Sequence, residues 1–439
     1  MNQRILFATD VPFWWQSTGA EQRIFGIHRF LEREGSTCGV FYLNALSSND
    51  EALIAKLGIQ VFAVSSNQPP ERLLNRIRWY ADATINQARS WLARSNDNVA
   101  VVDGPESLTL DDFVWPWALT RFAEIAETFK PDCIIFEYIK MAYLMDALPD
   151  AQRNQVECLI DTHDVLYRRA EQFFANGFPH WLEIDREGEA EVLKKFDAVI
   201  AIQDQEANMF REMTDSKIPV LTVGHAVDED AESELPDSVN PESELPSKIA
   251  VGYIGSKNFS NWQAIRDFLN CAWPSVAVKH PEKCELLIAG DICEWFDVDA
   301  NGKLMTSAAQ ADLPENAFDQ VRLLGRVDKL SEFYDQIDVV INPVQFGTGL
   351  KIKNAESLRF GKLLITTLNG FDGMPEATRL ACKVVEDVNE MGLAINSICK
   401  NLPSIRPMQK LALQLAQTEF SEQHAYSELR DYLNANLPA

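Results

Sequence analysis

The sequence has no Cys-x-x-Cys pair, and its eight cysteines (Cys38, Cys133, Cys158, Cys271, Cys284, Cys293, Cys382 and Cys399) are scattered. That excludes a zinc site of the paired-cysteine kind and argues against a disulfide framework in a chain of 439 residues. Most of these thiols read as small buried groups in a reducing compartment. Positive charge is scarce: 40 Lys and Arg stand against 65 Asp and Glu, a formal charge of −25. Such a chain repels nucleic-acid backbones and anionic membrane surfaces, so no nucleic-acid partner and at most a peripheral membrane contact are expected. There is no apolar run of about 18 residues, and Met1–Arg4 leads straight into a strand-like stretch without a signal-peptide core. The expectation is a soluble, cytoplasmic protein. No Asp-x-Asp site stands out, and no His, Asp and Glu cluster has convincing metal-ligand spacing. Neither a metal nor a resident cofactor is therefore expected.

What is present is α/β texture. Short apolar runs at Ile5–Ala8, Gly39–Leu43, Cys133–Phe136, Cys158–Ile160 and Ala198–Ile202 alternate with helix-period stretches such as Glu21–Glu34. Continuous apolar strands separated by helices imply buried parallel sheets. The texture changes at residues 228–247, DEDAESELPDSVNPESELPS, which repeat Glu-Ser-Glu-Leu-Pro and hold almost no large apolar group. That segment reads as a linker or surface loop. A second α/β series follows, with strands at Ile249–Ile254, Leu286–Ala289, Val321–Leu324, Val339–Ile341 and Leu363–Thr367. Asn261 reads as a helix N-cap. The expected fold class is therefore α/β, with two Rossmann-like, doubly wound domains facing each other across a cleft. The expected divisions are 1–227, a linker at 228–248, 249–415, and a C-terminal helix at 416–439 that can return to the first domain.

The strongest local signal is Gly347-Thr348-Gly349-Leu350-Lys351-Ile352-Lys353-Asn354-Ala355-Glu356, between two strands of the second series. Gly347 and Gly349 permit close backbone approach, and a helix starting near Leu350 points its amides at the loop. Lys351 and Lys353 bring ammonium groups suited to a diphosphate. Glu356, one to two turns on, can accept two hydrogen bonds from a ribose diol. The plain alternative is a glycine turn with solvated lysines.

Two further loops sit at strand carboxyl ends, where ligands bind in open α/β sheets. Ser17-Thr18-Gly19-Ala20-Glu21 offers Gly19 as a backbone face for phosphate, or simply a capped helix start. Asp161-Thr162-His163-Asp164 offers His163 for a sugar hydroxyl or a proton. The aromatic clusters Trp14-Trp15 and Phe113–Trp117, and the Arg-bearing stretch 71–95, read first as core and as a solvated helix face. Contact with sugar, acceptor or membrane is their minority reading.

These residues together resemble the family-4 type of retaining GT-B glycosyltransferases, the "glycosyl transferases group 1" set, over nearly the whole chain. Thr18–Glu21 is similar to that family's glycine-bearing donor loop. Phe196–Ala201 followed by Glu206, Val223–Asp228, Gly252–Ser256 with Asn261, and Gly325–Val327 with Tyr334 and Asp338 fit its order. The resemblance implies a glycosyltransferase acting on a nucleotide-sugar donor, with a glycan, lipid-linked or small-molecule acceptor. It implies that Glu356 holds the ribose, that Lys353 with Lys351 meets the diphosphate, that Gly19 approaches from the first domain, and that His163 lies near the transferred sugar. The loop departs from the family's Glu-x7-Glu pattern, because Thr348 stands where the first carboxylate is expected. The same fold also houses nucleotide-sugar epimerases, and the missing carboxylate leaves room for a non-catalytic nucleotide-sugar binder.

Overall fold

The protein is described here from a computed structural model covering residues 3–64, 108–176, 180–227, 248–296, 298, 304, 318–327 and 329–438. The 71–95 stretch and residues 228–247 of the acidic segment lie outside the described residues.

The first domain is built on β1 (Arg4–Thr9), β2 (Thr37–Tyr42), β3 (Val61–Ala63), β4 (Cys133–Glu137), β5 (Glu157–Asp161), β6 (Ala198–Ala201) and β7 (Val220–Thr222). They lie in the order β3-β2-β1-β4-β5-β6-β7, every pair parallel. The second domain has β8 (Ile249–Ile254), β9 (Cys284–Ala289), β10 (Val321–Gly325), β11 (Val339–Asn342), β12 (Leu363–Thr367) and β13 (Cys382–Val385). Its order is β10-β9-β8-β11-β12-β13, again wholly parallel. Parallel sheets need helices on both faces, which is why strands such as β4 are buried at every residue. In both sheets the strand order reverses beside the first strand, between β1 and β4 and between β8 and β11. Each reversal opens a crevice at the strand carboxyl ends, and the two crevices face one another.

Three strands escaped the sequence reading. β3 and β7 have three residues each, too short for a periodic signal, and in the four-residue β13 Lys383 interrupts the apolar run. The N-cap of the Phe259–Cys271 helix also differs from expectation. Asn258 caps it, its side chain accepting from the Asn261 amide at 2.9 Å. Asn261 is thereby one turn inside the helix and buried.

The chain leaves the first domain after Val227 and returns near Ser421. Helix Arg406–Glu419 packs Ala412 and Ala416 into the second domain. Helix Ser427–Asn436 then places Leu429 and Leu433 in the same cluster as Ile5, Phe7 and Ile24 of the first. Backbone bonds Gly224 N–Ala425 O (3.0 Å) and Val227 N–Phe420 O (3.0 Å) hold the outgoing and returning chains side by side.

Candidate functional site

A cavity of about 1320 Å³ lies between the domains and is lined from both sides. Its first-domain wall starts after β1. Thr18 caps the Gly19–Arg33 helix by accepting from the Glu21 amide, while Glu21 reaches back to the Ser17 amide at 2.6 Å. This reciprocal cap points the helix N-terminus into the cleft. A Cβ on Gly19 would lie 2.8 Å from Ile352 Cδ1 of the opposite domain. Glycine is what lets the two walls come this close.

Behind this wall lies a buried polar cluster. Arg23 holds Asp161 through two bonds of 2.9 and 3.0 Å and donates to the carbonyls of Val223 and Gly224. His163 Nε2 lies 2.7 Å from Glu137 Oε2. The His163 ring stacks on Tyr138 at 4.1 Å and 10°. Both residues have left-handed backbone, φ 61° and 69°, a strained state that a non-glycine residue keeps only when its surroundings hold it there. Burial pushes Glu137 up to about 7, against the hydrogen bond from His163. Ligand atoms of Glu137, Asp161 and His163 come within 4.8 Å of one another, a grouping the sequence spacing did not reveal. Asp161 already gives both oxygens to Arg23, and His163 Nε2 is taken by Glu137. The cluster supports His163 from beneath, with Glu137 Oε1 its one buried oxygen without a partner among the described residues.

The second-domain wall is the Gly347–Leu350 loop and the Ile352–Arg359 helix that follows β11. Residues three apart share a helix face, and Lys351 stands before the helix as its extended N-cap. Lys353 and Glu356 therefore both line the cavity, and Lys351 does not. Lys351 turns back instead, and its Nζ donates to the carbonyls of Gly349 (2.7 Å), Thr348 (3.1 Å) and Gly347 (3.4 Å). Lys351, expected from the sequence to meet a ligand, here braces the loop. Gly347 also stands off the cavity wall. Gly19, His163, Thr348, Gly349, Lys353 and Glu356 share the cavity.

The loop is gripped from across the cleft. The Gly347 amide donates to Gln172 Oε1 at 2.7 Å, and the Gly349 amide to Glu206 Oε1 at 3.0 Å. Gly349 has φ +77°, with the His163 carbonyl 3.4 Å from where its Cβ would be. Burial pushes Glu206 up to about 8, and neighbouring Asp164 adds to the rise.

Lys353 Nζ donates to Asn261 Oδ1 at 2.8 Å and lies 4.7 Å from the centre of the Tyr253 ring. Burial lowers it to about 7, opposed by Glu356 and reinforced by Lys351. Glu356 accepts from Tyr334 OH at 3.3 Å. Burial raises Glu356, while bonds from Gln22 and Tyr334 and the charge of Lys353 pull it down. Tyr334 is fixed by stacking on Phe360 at 4.3 Å. Trp15 is 42% exposed at the cavity edge, its Nε1 bonded to Asp50, whereas Trp14, Phe113 and Trp115 are core. Arg23, Glu137, Tyr138 and Tyr334 were missed as site residues by sequence reasoning. Their partners lie far away in the chain, as with Arg23 and Asp161, and only the His163 and Lys353 motifs pointed to the neighbourhood.

Residues 248–401, about a third of the chain, match the family model described as glycosyl transferases group 1. No curated protein matches the chain in sequence. Among solved structures, HepE from Anabaena with UDP-glucose aligns at 13% identity over 99% of this chain and 100% of its own, with a TM-score of 0.63. Sucrose-phosphate synthase from Thermosynechococcus elongatus aligns at 14% identity over 99% of both chains, TM-score 0.61. WaaG, a glycosyltransferase of lipopolysaccharide biosynthesis, aligns at 11% identity over 99% of this chain and 100% of its own, TM-score 0.58. Identities this low speak for the fold, and the fold is the two-domain GT-B arrangement. The chain has the two-domain GT-B fold. Its second domain is the part that is similar to the glycosyl transferases group 1.

Proposed function

We propose that the protein transfers a sugar from a nucleoside-diphosphate sugar to a hydroxyl acceptor, with retention at the anomeric carbon and without a required metal. The observation that carries this reading is the joint exposure of Lys353 and Glu356 on one wall of a cavity whose other wall is the Gly19 helix N-terminus. In this arrangement Glu356 takes the ribose hydroxyls. Lys353 and the amides around Gly19 face the diphosphate and stabilise the charge that grows on it as the glycosidic bond breaks. His163, held by Glu137 and Tyr138, stands beside the transferred sugar and orients a hydroxyl. The acceptor hydroxyl enters on the same face as the leaving diphosphate, which gives retention. Closure of the domains, with the Gly347–Leu350 loop held by Gln172 and Glu206, limits donor hydrolysis by water.

The structural neighbour HepE is known in complex with UDP and with UDP-glucose, so UDP-sugars head the donor panel to be assayed, ahead of GDP- and ADP-sugars. Assembly of a glycan in the cytoplasm, on a lipid-linked or other acceptor, is the setting this reading favours. No helix among the described residues is long and apolar enough to cross a membrane. The test is transfer and donor hydrolysis across the panel, with and without a chelator, for wild type and Lys353→Ala. Loss of roughly 100-fold or more in kcat/KM is expected for the variant. Full activity in a folded variant, or abolition of wild-type activity by the chelator, would overturn the corresponding part of the reading.

A further inference from the structure

The ammonium of Lys353 is held by a neutral acceptor. Its hydrogen-bond partner is the carbonyl oxygen of Asn261 at 2.8 Å, and its aromatic neighbour is Tyr253. Asn261 is itself fixed: its Nδ2 donates to the Ser256 carbonyl at 3.0 Å, and it is buried in the helix that follows β8. A carboxylate at this place would hold the lysine equally well but would cancel its charge. An amide fixes the position and leaves the charge for an incoming anion.

We propose that Asn261 is a positioning residue that presents Lys353 to the diphosphate of the donor, and that diphosphate binding draws a proton onto Lys353. The proposal rests on the donor-binding reading above. Among the described residues, the groups that face Lys353 come from four places. Its own helix contributes Glu356, which favours the charged form, and the preceding Lys351, which disfavours it; Arg359 lies further along. From β8 comes Tyr253 and from the helix Leu330–Tyr334 comes Tyr334, both phenols pushed far up by burial and so neutral. Across the cleft stand the Gly19 helix with Glu21 and the β5 loop with His163 and Asp164. Glu356 is the carboxylate that acts on Lys353, and burial still leaves the lysine near 7. Two phosphate charges brought against it favour the ammonium, so binding takes up a proton and weakens as pH rises through and above neutrality.

The test is calorimetric titration of the full chain with UDP, GDP and ADP, each beside its nucleoside, in buffers of different ionisation enthalpy. Wild type should bind one diphosphate with net proton uptake near pH 7.5. Asn261→Asp should bind that diphosphate roughly 10-fold or more weakly, the size of a lost charge-assisted contact, and its pH dependence should move to higher pH. Nucleoside binding, which reports a folded site, should be unchanged. Asn261→Ala should also weaken the diphosphate, but not in a Lys353→Met background, where there is no ammonium to position. Wild-type affinity and pH slope in both Asn261 variants would overturn the proposal. Failure of wild type to bind any of the three diphosphates would instead remove the donor-binding reading beneath it.

Discussion

Single side chains divide the work at this site, and the place where the helix begins decides which does what. Lys351 and Lys353 look equivalent in a linear motif. Lys351 is the extended N-cap before the helix and braces the loop, whereas Lys353 lies on the helix and meets the cleft. That split was not visible in the sequence, although the motif's position was. Glu356 carries its own prediction. If it accepts from a ribose diol, wild type should prefer a nucleoside diphosphate over the 2′-deoxy form by roughly 10-fold. Glu356→Gln should lose most of that preference, with competition binding as the readout. Equal discrimination by wild type and variant would assign the ribose elsewhere. Asn261 shows the opposite failure of sequence reading. An Asn near a helix start reads as a cap, but Asn258 takes that role and frees Asn261 to face Lys353.

Among the elements, the Gly347–Leu350 loop and the last helix tie the domains together. Gly349 adopts φ +77° with the β5 loop alongside it. Gly349→Ala should cost about 1 kcal/mol or more in strain and displace the amide that Glu206 holds. The expected result is a raised KM for the donor with little change in the melting temperature of the second domain; unchanged kinetics would show that the loop need not sit as described. The Ser427–Asn436 helix is a packing element of the first domain although it lies last in the chain. Leu433 is fully buried there, so Leu433→Ala should destabilise that domain by about 2–4 kcal/mol in urea unfolding. A loss below about 0.5 kcal/mol would mean the helix is not docked. The periodicity of the C-terminal stretch made it readable as helix, but its destination depends on contacts across more than 400 residues, such as Gln3 to Leu433. Short strands β3 and β7 were illegible for the simpler reason that three residues carry no period, and β13 because Lys383 breaks its apolar run.

On the scale of the whole molecule, two parallel sheets place their switch points face to face, and that much followed from alternating apolar runs and helices. The polar interior of the first domain did not. Glu137, Glu189 and Glu206 are all buried, and burial raises them to about 7, 7 and 8. A carboxyl whose folded value is raised binds its proton more tightly when folded, so stability is greatest below the unfolded value and falls as pH rises towards the folded one. For one such group the slope is about 1.4 kcal/mol per pH unit between those values. The melting temperature of the first domain should therefore drop between about pH 5 and pH 8, and Glu206→Gln should flatten that drop while keeping an acceptor for Gly349. A variant as pH-sensitive as wild type would place the titration on other groups.

The most direct measurement is a crystal structure of the protein with the nucleoside diphosphate it binds. The predicted result has phosphate oxygens within about 3 Å of Lys353 Nζ, the ribose on Glu356, and the Gly19 backbone closing over the phosphates. A nucleotide bound away from the inter-domain cavity, or one in it that leaves Lys353 and Glu356 without contact, would contradict the account.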